Sequence, residues 1–263
     1  MRQATIKKGC SLSGYGIHSG EKSLIKISPT PINSGIVFLR NGLNIPALVQ
    51  HVSATTRGTT LGEIAVVEHL LAAISGLGID NLLIEVDGLE IPSLDGSALP
   101  FVEALSQSGI VEQDAEKNYL ALTKEIVIGD KEAQIAASPY NGFKVDFMIN
   151  LPGIGQQQLG FEVGQDDFSK AIAPARTFGY IEDHEQLKSQ GLGQGASLEN
   201  ALVLSKAGYV NKSRFPDEPV RHKILDLIGD LALLGKPLKA QIKAAKSGHR
   251  LNIELVRRLL KND

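Results

Sequence analysis

The chain has 263 residues, of which 43% are hydrophobic and 21% charged, and its 27 Lys and Arg against 29 Asp and Glu give a net charge of −2. This composition excludes a wholly disordered chain and fits one large domain or two small ones. The balanced charge argues against a general nucleic-acid-binding protein, although a few local cations could hold an anionic ligand. The single cysteine, Cys10, excludes an intrachain disulfide and a zinc site built on several thiolates.

The N-terminal segment, MRQATIKKGC, carries positive charges but no apolar stretch, so we expect no signal peptide. Apolar runs such as Ile64 to Val67 are too short to span a bilayer. We therefore expect a cytoplasmic protein without stable membrane insertion.

The first half of the sequence mixes strands and helices. Segments rich in β-branched residues, separated by Gly, Pro and Asn, predict strands at 23–29, 35–40, 45–52 and 81–88. A helix is predicted over 62–78, because one apolar stripe at helical spacing is formed by Val67, Leu70, Leu71 and Ile74. A second helix is predicted over 97–109, with Pro100 in its first turn.

The polar and acidic residues 111–118 predict a domain boundary, with an N-terminal domain of residues 1–112 and a C-terminal domain of residues 118–263. The second half repeats the order of the first. Its predicted strands are 119–129, 132–139, 143–152, 200–206 and 240–246, and its predicted helices are 182–190, 217–234 and 251–261.

Each half contains a mostly apolar helix that carries one histidine, His69 in the first and His222 in the second. This pattern predicts an α+β fold of two similar layered domains, each with helices on one face of a sheet. If like faces pack together, the two histidine helices meet at the domain junction, where ligand sites often form.

A narrow polar stripe crosses the predicted helix over 217–234. His222, Asp226 and Asp230 follow at intervals of four residues, which places them on one face of an α-helix. The ordinary interpretation is a solvated polar face. The rest of the helix is mostly apolar, and an ionisable stripe on such a helix favours a buried, paired set.

Glu68 and His69 lie on the other apolar helix, where the simplest interpretation of His69 is a satisfied core histidine. Combined with His222 and Asp226, however, His69 completes three metal ligands and leaves a fourth position for water. Glu68 would then stand like the general base of zinc hydrolases, in which a Glu neighbours a ligating His. The spacing does not choose zinc, because two His and one carboxylate also describe iron(II) oxygenase sites.

Other motifs are less specific. His249, just before the last predicted helix, could be a general acid or a helix cap. The sequence contains no G-x-S-x-G elbow, no P-loop and no G-x-G-x-x-G before a helix.

Several blocks spread in order over nearly the whole chain carry a family resemblance. They are GYGIHSG (14–20), VEHLLAAISGLGIDN (67–81), IPSLDGSALPFVEAL (91–105), ARTFGY (175–180), GASLENALVL (195–204), RFPDEPVRHKILDLIGDLALLG (214–235) and KSGHRLN (246–252). Together they resemble the UDP-3-O-acyl-N-acetylglucosamine deacetylases, the zinc amidases of bacterial lipid A synthesis. The resemblance implies a fold of two layered α+β domains with helices packed between the sheets and the active site at their junction.

The resemblance also implies a role for each matching residue. His69, His222 and Asp226 would hold one zinc ion per chain, and Glu68 would activate the attacking water. His249 would be the protonated partner that stabilises developing charge or protonates the leaving amine.

The resemblance implies roles for further residues around these. Asp230 would keep His249 charged and oriented, and Thr177 with the zinc would stabilise the oxyanion. Lys223 and Lys246 would serve the substrate's diphosphate and the oxyanion region. Phe178 would contact substrate, and residues 178–191 would line an apolar channel for the acyl chain.

The implied reaction is hydrolysis of the N-acetyl group of UDP-3-O-acyl-N-acetylglucosamine, the committed step of lipid A biosynthesis. The partner is therefore a small nucleotide-sugar with one acyl chain, and we expect a monomer that binds no nucleic acid. The alternatives are an iron(II) oxygenase with the same ligands and a non-catalytic UDP-sugar binder, against which the retained Glu68 argues.

The chain departs from the family pattern at three positions, none of them a zinc ligand. Leu151 stands where a His usually precedes Pro152, Ala196 where a second Gly is expected, and Pro219 where an aromatic residue is usual. We expect these departures to affect substrate contacts and acyl-length preference rather than the chemistry.

Overall fold

The structure is a computed structural model that describes residues 1–261. Its strands are β1 (Arg2–Ile6), β2 (Cys10–Tyr15), β3 (Lys22–Pro29), β4 (Ile36–Arg40), β5 (Leu43–Pro46), β6 (Val52–Ala54), β7 (Thr60–Leu61), β8 (Leu82–Asp87), β9 (Ile110–Glu116), β10 (Leu120–Ala121), β11 (Ile126–Gly129), β12 (Gln134–Pro139), β13 (Phe143–Leu151), β14 (Gly155–Val163), β15 (Phe178–Tyr180), β16 (Leu202–Ser205), β17 (Gly208–Tyr209) and β18 (Leu238–Ala245). Its α-helices are α1 (Glu68–Gly76), α2 (Leu99–Gln107), α3 (Phe168–Ala171), α4 (His184–Ser189), α5 (Glu218–Leu231) and α6 (His249–Leu260). Short 3₁₀ turns occupy Val49–His51, Ile181–Asp183 and Ala232–Leu234.

The first half builds a five-stranded sheet in the order β2-β3-β8-β4-β5, in which only β4 and β8 run parallel. Alternation along the strands decides which face is buried. In β3, Ile25 and Ile27 are buried, whereas Lys26 between them is exposed. This period of two is the pattern of a sheet that covers a core on one side.

The second half builds a sheet in the order β11-β12-β18-β13-β14, and β10 also pairs with β18. Here β13 runs parallel to β18 and antiparallel to β14. Val145, Phe147 and Ile149 alternate along β13 and are buried in the core. A small third sheet, β15-β16-β17, lies between β14 and α5 in the chain.

The four longer helices, α1, α2, α5 and α6, lie between the two large sheets. Helix α1 packs against α2 and α5, while α5 and α6 pack on strands of the second sheet. The apolar stripe of α5 is buried, and each such side chain contributes about 1.5–3 kcal/mol on burial; it is formed by Ile224, Leu227, Ile228 and Leu231. The core cluster runs continuously through both sheets and the helices. The α+β architecture with helices packed between sheets is therefore confirmed.

The structure corrects several predicted elements. The strand predicted over 45–52 is wrong, because the chain turns after Pro46 and forms a 3₁₀ turn at Val49–His51. The helix predicted over 62–78 begins only at Glu68, since Val66 has a left-handed backbone with φ of 58°. The sequence does not predict strand β14, because GQQQLGFEV contains three consecutive glutamines and two glycines and only a short apolar alternation.

Two other segments differ in detail. His249 is the first residue of α6 rather than a residue that precedes the helix. Residues 110–116 form β9, which pairs with the N-terminal strand β1. The domain limits 1–112 and 118–263 remain a prediction.

Across residues 1–261, every helix is too short or too polar to cross a bilayer.

Candidate metal centre and active site

Helices α1 and α5 bring together the three predicted metal ligands. His69 lies in the first turn of α1, and His222 and Asp226 lie one turn apart on α5. The candidate ligand atoms of the three residues all lie within 4.8 Å of one another, and all three residues are buried. Oδ1 of Asp226 is 3.2 Å from Nε2 of His222 and 3.6 Å from Nε2 of His69.

The donor set fits a metal ion. Oδ1 of Asp226 is buried and accepts no hydrogen bond from any of residues 1–261, whereas its Oδ2 accepts one from Nζ of Lys223 at 2.7 Å. Nδ1 of His222 lies 3.1 Å from the Ala175 carbonyl oxygen, which can only accept a proton, so Nδ1 donates and Nε2 keeps its lone pair. A buried carboxylate oxygen that faces an imidazole lone pair is well suited to share a cation with it.

The ionisation of His222 is consistent with a ligand. Its burial lowers the pKa of His222 to about 4, against the attraction of Asp226, so the imidazole is neutral near pH 7. Neutral imidazole is the form that coordinates metals, and the second nitrogen is typically held by a carbonyl or carboxylate. The Ala175 carbonyl has this role here.

Glu68 stands next to this group as the first residue of α1. Its carboxylate is buried; Oε2 accepts a hydrogen bond from the backbone N–H of Thr59 at 2.9 Å, and Oε1 is 3.9 Å from Nε2 of His249. Burial raises the pKa of Glu68, and the charge of His249 opposes this rise. A carboxylate with a raised pKa beside a candidate metal site is suited to accept and release a proton.

His249 is held by Asp230. Its Nδ1 donates to Oδ2 of Asp230 at 2.9 Å, and Asp230 also accepts hydrogen bonds from Thr59 Oγ1 at 2.5 Å and from Asn252 Nδ2 at 2.8 Å. Burial opposes protonation, but the Asp230 carboxylate raises the pKa of His249 to about 10. The ring is therefore a cation whose Nε2–H faces Glu68 and Asp226, at 3.9 and 3.8 Å.

The remaining predicted residues line the same cavity of about 750 Å³, which also borders Glu68, His69, His222 and His249. Thr177 immediately precedes β15, and its backbone N–H donates to the Gly96 carbonyl at 2.8 Å. The Phe178 ring lies 6.0 Å from the His222 ring and 5.7 Å from Nζ of Lys223. Lys246 lies at the end of β18, with a left-handed backbone of φ 52°.

The cavity is lined by two chemically different sets of side chains. The apolar set comes from the segment of β15, α4 and β16, namely Phe178, Ile181, Leu187, Leu198 and Val203. The basic set comprises His18, Arg57, Lys246 and Arg250. The cavity could thus hold a molecule with an apolar chain and an anionic group.

The sequence did not single out four residues that the structure places at or beside the site. Thr59 touches both Glu68 and Asp230, and its TT dipeptide carries no recognisable pattern. Arg57 and Arg250 resemble ordinary surface arginines in the sequence. His18 lies inside the glycine-rich block GYGIHSG, and a histidine among glycines is a signal that could have indicated a backbone shaped for a site.

Comparisons with known proteins identify the family of the chain. The family model described as UDP-3-O-acyl N-acetylglycosamine deacetylase matches residues 3–261. The chain belongs to this family. Every residue that forms the candidate metal centre lies within the matched range.

Relatives support the same family. The chain is 43% identical over 270 residues to the UDP-3-O-acyl-N-acetylglucosamine deacetylase of Myxococcus xanthus, covering 98% of this chain and 86% of the relative. It is 44% identical over 279 residues to the protein of that name from Mannheimia succiniciproducens, covering 100% and 91%. It is also similar to the bifunctional enzyme LpxC/FabZ of Chlorobaculum tepidum, at 40% identity over 301 residues, covering 99% and 64%.

Close approach of α1 and α5 depends on Gly229, which lies one turn beyond Asp226. A Cβ at this position would lie 2.0 Å from the carbonyl oxygen of Glu68. We expect Gly229→Ala to push the two helices apart, to lower the free energy of unfolding by about 1–3 kcal/mol and to weaken metal binding. Urea unfolding and metal titration measure both effects.

Gly179→Ala is the matched control, because a Cβ at Gly179 meets nothing within 4 Å and the backbone does not have a left-handed φ. If Gly229→Ala is as stable as Gly179→Ala and binds metal equally well, the close approach of the helices is not required.

Proposed function

We propose that this protein hydrolyses the N-acetyl amide of UDP-3-O-acyl-N-acetylglucosamine, releasing acetate and the free 2-amino sugar, the committed step of lipid A biosynthesis. Family membership supports the reaction. The observation that carries it in the structure is the Glu68 carboxylate beside three converging ligand atoms, in a cavity lined by both apolar and basic side chains.

The metal that we propose is zinc, one ion per chain, held by Nε2 of His69, Nε2 of His222 and Oδ1 of Asp226. Two imidazoles and one carboxylate are a common ligand set of catalytic zinc. When bound, the ion would polarise the amide carbonyl and lower the pKa of water.

The protein's own groups complete the hydrolysis. Glu68 accepts a proton from the water that attacks the acetyl carbon, and the hydroxyl of Thr177 donates to the oxyanion that forms. The carbon–nitrogen bond then breaks, and the imidazolium of His249 supplies a proton to the leaving amine. Asp230 keeps His249 protonated and directs its Nε2–H towards the reacting atoms.

The apolar and basic side chains that line the cavity support a placement for the rest of the substrate. The acyl chain lies along Phe178 and the apolar residues of 178–191, and the diphosphate lies near Lys246. Lys223 borders the cavity while it donates to Asp226, so it both orients a ligand and offers positive charge to substrate. Such a division between apolar and charged contacts is typical of small-molecule sites.

The decisive experiment joins metal analysis to an acetate-release assay with substrates of several acyl lengths. We expect one zinc per chain and acetate in equal amount to free amine. Metal-loaded protein that binds substrate without releasing acetate would indicate a non-catalytic binder. Oxygen consumption coupled to turnover would indicate an iron(II) oxygenase.

Light scattering would test the predicted monomer, and fractionation of cells would test the predicted cytoplasmic location.

We expect Asp230→Asn to move the alkaline limb of the kcat/KM profile to lower pH. The Asp230 carboxylate raises the pKa of His249, whereas burial lowers it. With the uncharged amide of Asn at position 230, the pKa of His249 is lower, so His249 loses its proton at a lower pH. A pH–rate profile of both proteins measures the shift. An unmoved alkaline limb would mean that His249 is not the group that must be protonated.

A further inference from the structure

The segment of residues 173–177 connects α3 to β15 and is held by hydrogen bonds from other elements. The carbonyl of Ala173 accepts from Ala98 N, and that of Pro174 from Arg214 Nη1, both at 2.9 Å. The carbonyl of Ala175 accepts from Nδ1 of His222. The backbone N–H of Thr177 donates a hydrogen bond to the Gly96 carbonyl, and the Thr177 carbonyl accepts one from the N–H of Leu202.

One buried carboxylate anchors the centre of this segment. Glu218, in the first turn of α5, is 0% exposed, and its Oε1 accepts from the backbone N of Arg176 at 3.0 Å and from Nε of Arg176 at 2.9 Å. Its Oε2 accepts from Nη2 of Arg176 at 3.3 Å and from the backbone N of Arg214 at 2.6 Å. Arg176, itself 6% exposed, also donates to the Lys212 carbonyl at 2.8 Å.

Stability alone does not explain this pair. Desolvation of two charges offsets much of their attraction, and well-packed apolar residues of similar size are often equally stable or more so. The pair instead fixes the orientation of the two side chains, because a planar guanidinium and a carboxylate hold each other in one geometry. Arg176 is therefore locked in both its backbone and its side chain.

The neighbours of Arg176 are the two groups that the reaction needs. Ala175 supplies the carbonyl that sets the tautomer of His222, and Thr177 supplies the hydroxyl assigned to the oxyanion. His222 itself lies one helical turn after Glu218 on α5. A shift of the segment would disturb both groups together.

We propose that Glu218, through its buried pair with Arg176, is a positioning residue that holds Ala175 against His222 and Thr177 against the reacting carbonyl. The inference rests on the proposed function. It predicts an effect on metal affinity as well as on turnover, since groups that orient a metal ligand typically change affinity by about 10–100-fold.

The test replaces the pair by apolar residues in Arg176→Met/Glu218→Met. We expect a lower thermal midpoint of the metal-free protein, because the backbone N–H groups of Arg176 and Arg214 lose their acceptor. We also expect a zinc Kd raised about 10–100-fold in competition with a chelator, and a kcat lowered about tenfold or more with little change in KM. The cobalt-substituted protein should show an altered visible spectrum, because the ligand geometry changes.

The matched control is Asp217→Met/Arg221→Met. This pair lies at the start of the same helix, where Asp217 immediately precedes α5 and Arg221 is in its first turn. Arg221 donates to Asp217 and to the Ala171 carbonyl, outside residues 173–177. We expect its zinc Kd and kcat to equal those of the wild type. Equal losses in the control and the buried pair would overturn the proposal, as would a buried variant with wild-type zinc affinity and kcat.

If the double variant does not fold, Glu218→Gln is judged by the same criteria, because it keeps the size of the side chain and removes its charge. A lowered thermal midpoint with unchanged zinc affinity and kcat would show a purely structural role and overturn the proposal. Wild-type protein that releases no acetate would overturn the proposed function, while the comparison of zinc affinities would still decide the role of Glu218.

Discussion

We expect Glu68→Gln to lower kcat by about 10²- to 10⁴-fold while the protein still binds its metal in the same stoichiometry. Glutamine has the shape of glutamate and can still accept from the Thr59 N–H, but it cannot take a proton from water. Glu68 is adjacent to the ligand group rather than part of the His69, His222 and Asp226 set. Steady-state acetate release and metal analysis on the same sample measure the two properties.

Glu63→Gln is the control for this experiment. Glu63 lies five residues earlier, and its side chain is 71% exposed where it pairs with Arg40. We expect wild-type turnover from Glu63→Gln. Near-wild-type turnover by metal-replete Glu68→Gln would remove Glu68 from the role of base.

The second large effect is expected from His222→Ala/Asp226→Ala. Removal of both α5 ligands leaves only His69, and one imidazole does not hold a catalytic metal ion at ordinary metal concentrations. We expect metal content to fall to background and acetate release to disappear. Metal analysis after dialysis, together with circular dichroism to verify folding, measures the result.

A matched control replaces the same residue types away from the cavity, in His51→Ala/Asp114→Ala. Asp114 is an exposed partner of Arg2, and neither residue borders the site. This variant should retain full metal content. Stoichiometric zinc in His222→Ala/Asp226→Ala would refute the ligand set.

Local periodicity explains what could be predicted from the sequence. The i, i+4 spacing of His222, Asp226 and Asp230 depends only on helix geometry, so their common face follows from the chain itself. The apolar stripe of α1 and the alternation in β3 and β13 follow in the same way, and the structure has these elements. Where periodicity is weak, as in β14, the sequence carried no prediction.

The family resemblance extended the prediction to residues without a local pattern. Thr177, Lys246 and His249 were assigned from matching blocks, and the structure places all three on the cavity that contains Glu68. Spacing alone left His249 open between a general acid and a helix cap. His249 is the first residue of α6, and its ring is hydrogen-bonded to Asp230. It therefore both begins the helix and contacts the site.

The sequence by itself determined the helical faces, the strand alternation and the residue types suited to a metal site. Only the tertiary structure decided that Asp226 points one oxygen at two imidazoles and the other at Lys223, and that Thr59 joins Glu68 to Asp230. The contacts from Asp226 to His69 and from Thr59 to Asp230 join residues far apart in the chain, and the first of them depends on how closely α1 and α5 approach at Gly229. Distances between separate elements arise from tertiary packing, and the periodicity of residues along the chain does not encode them.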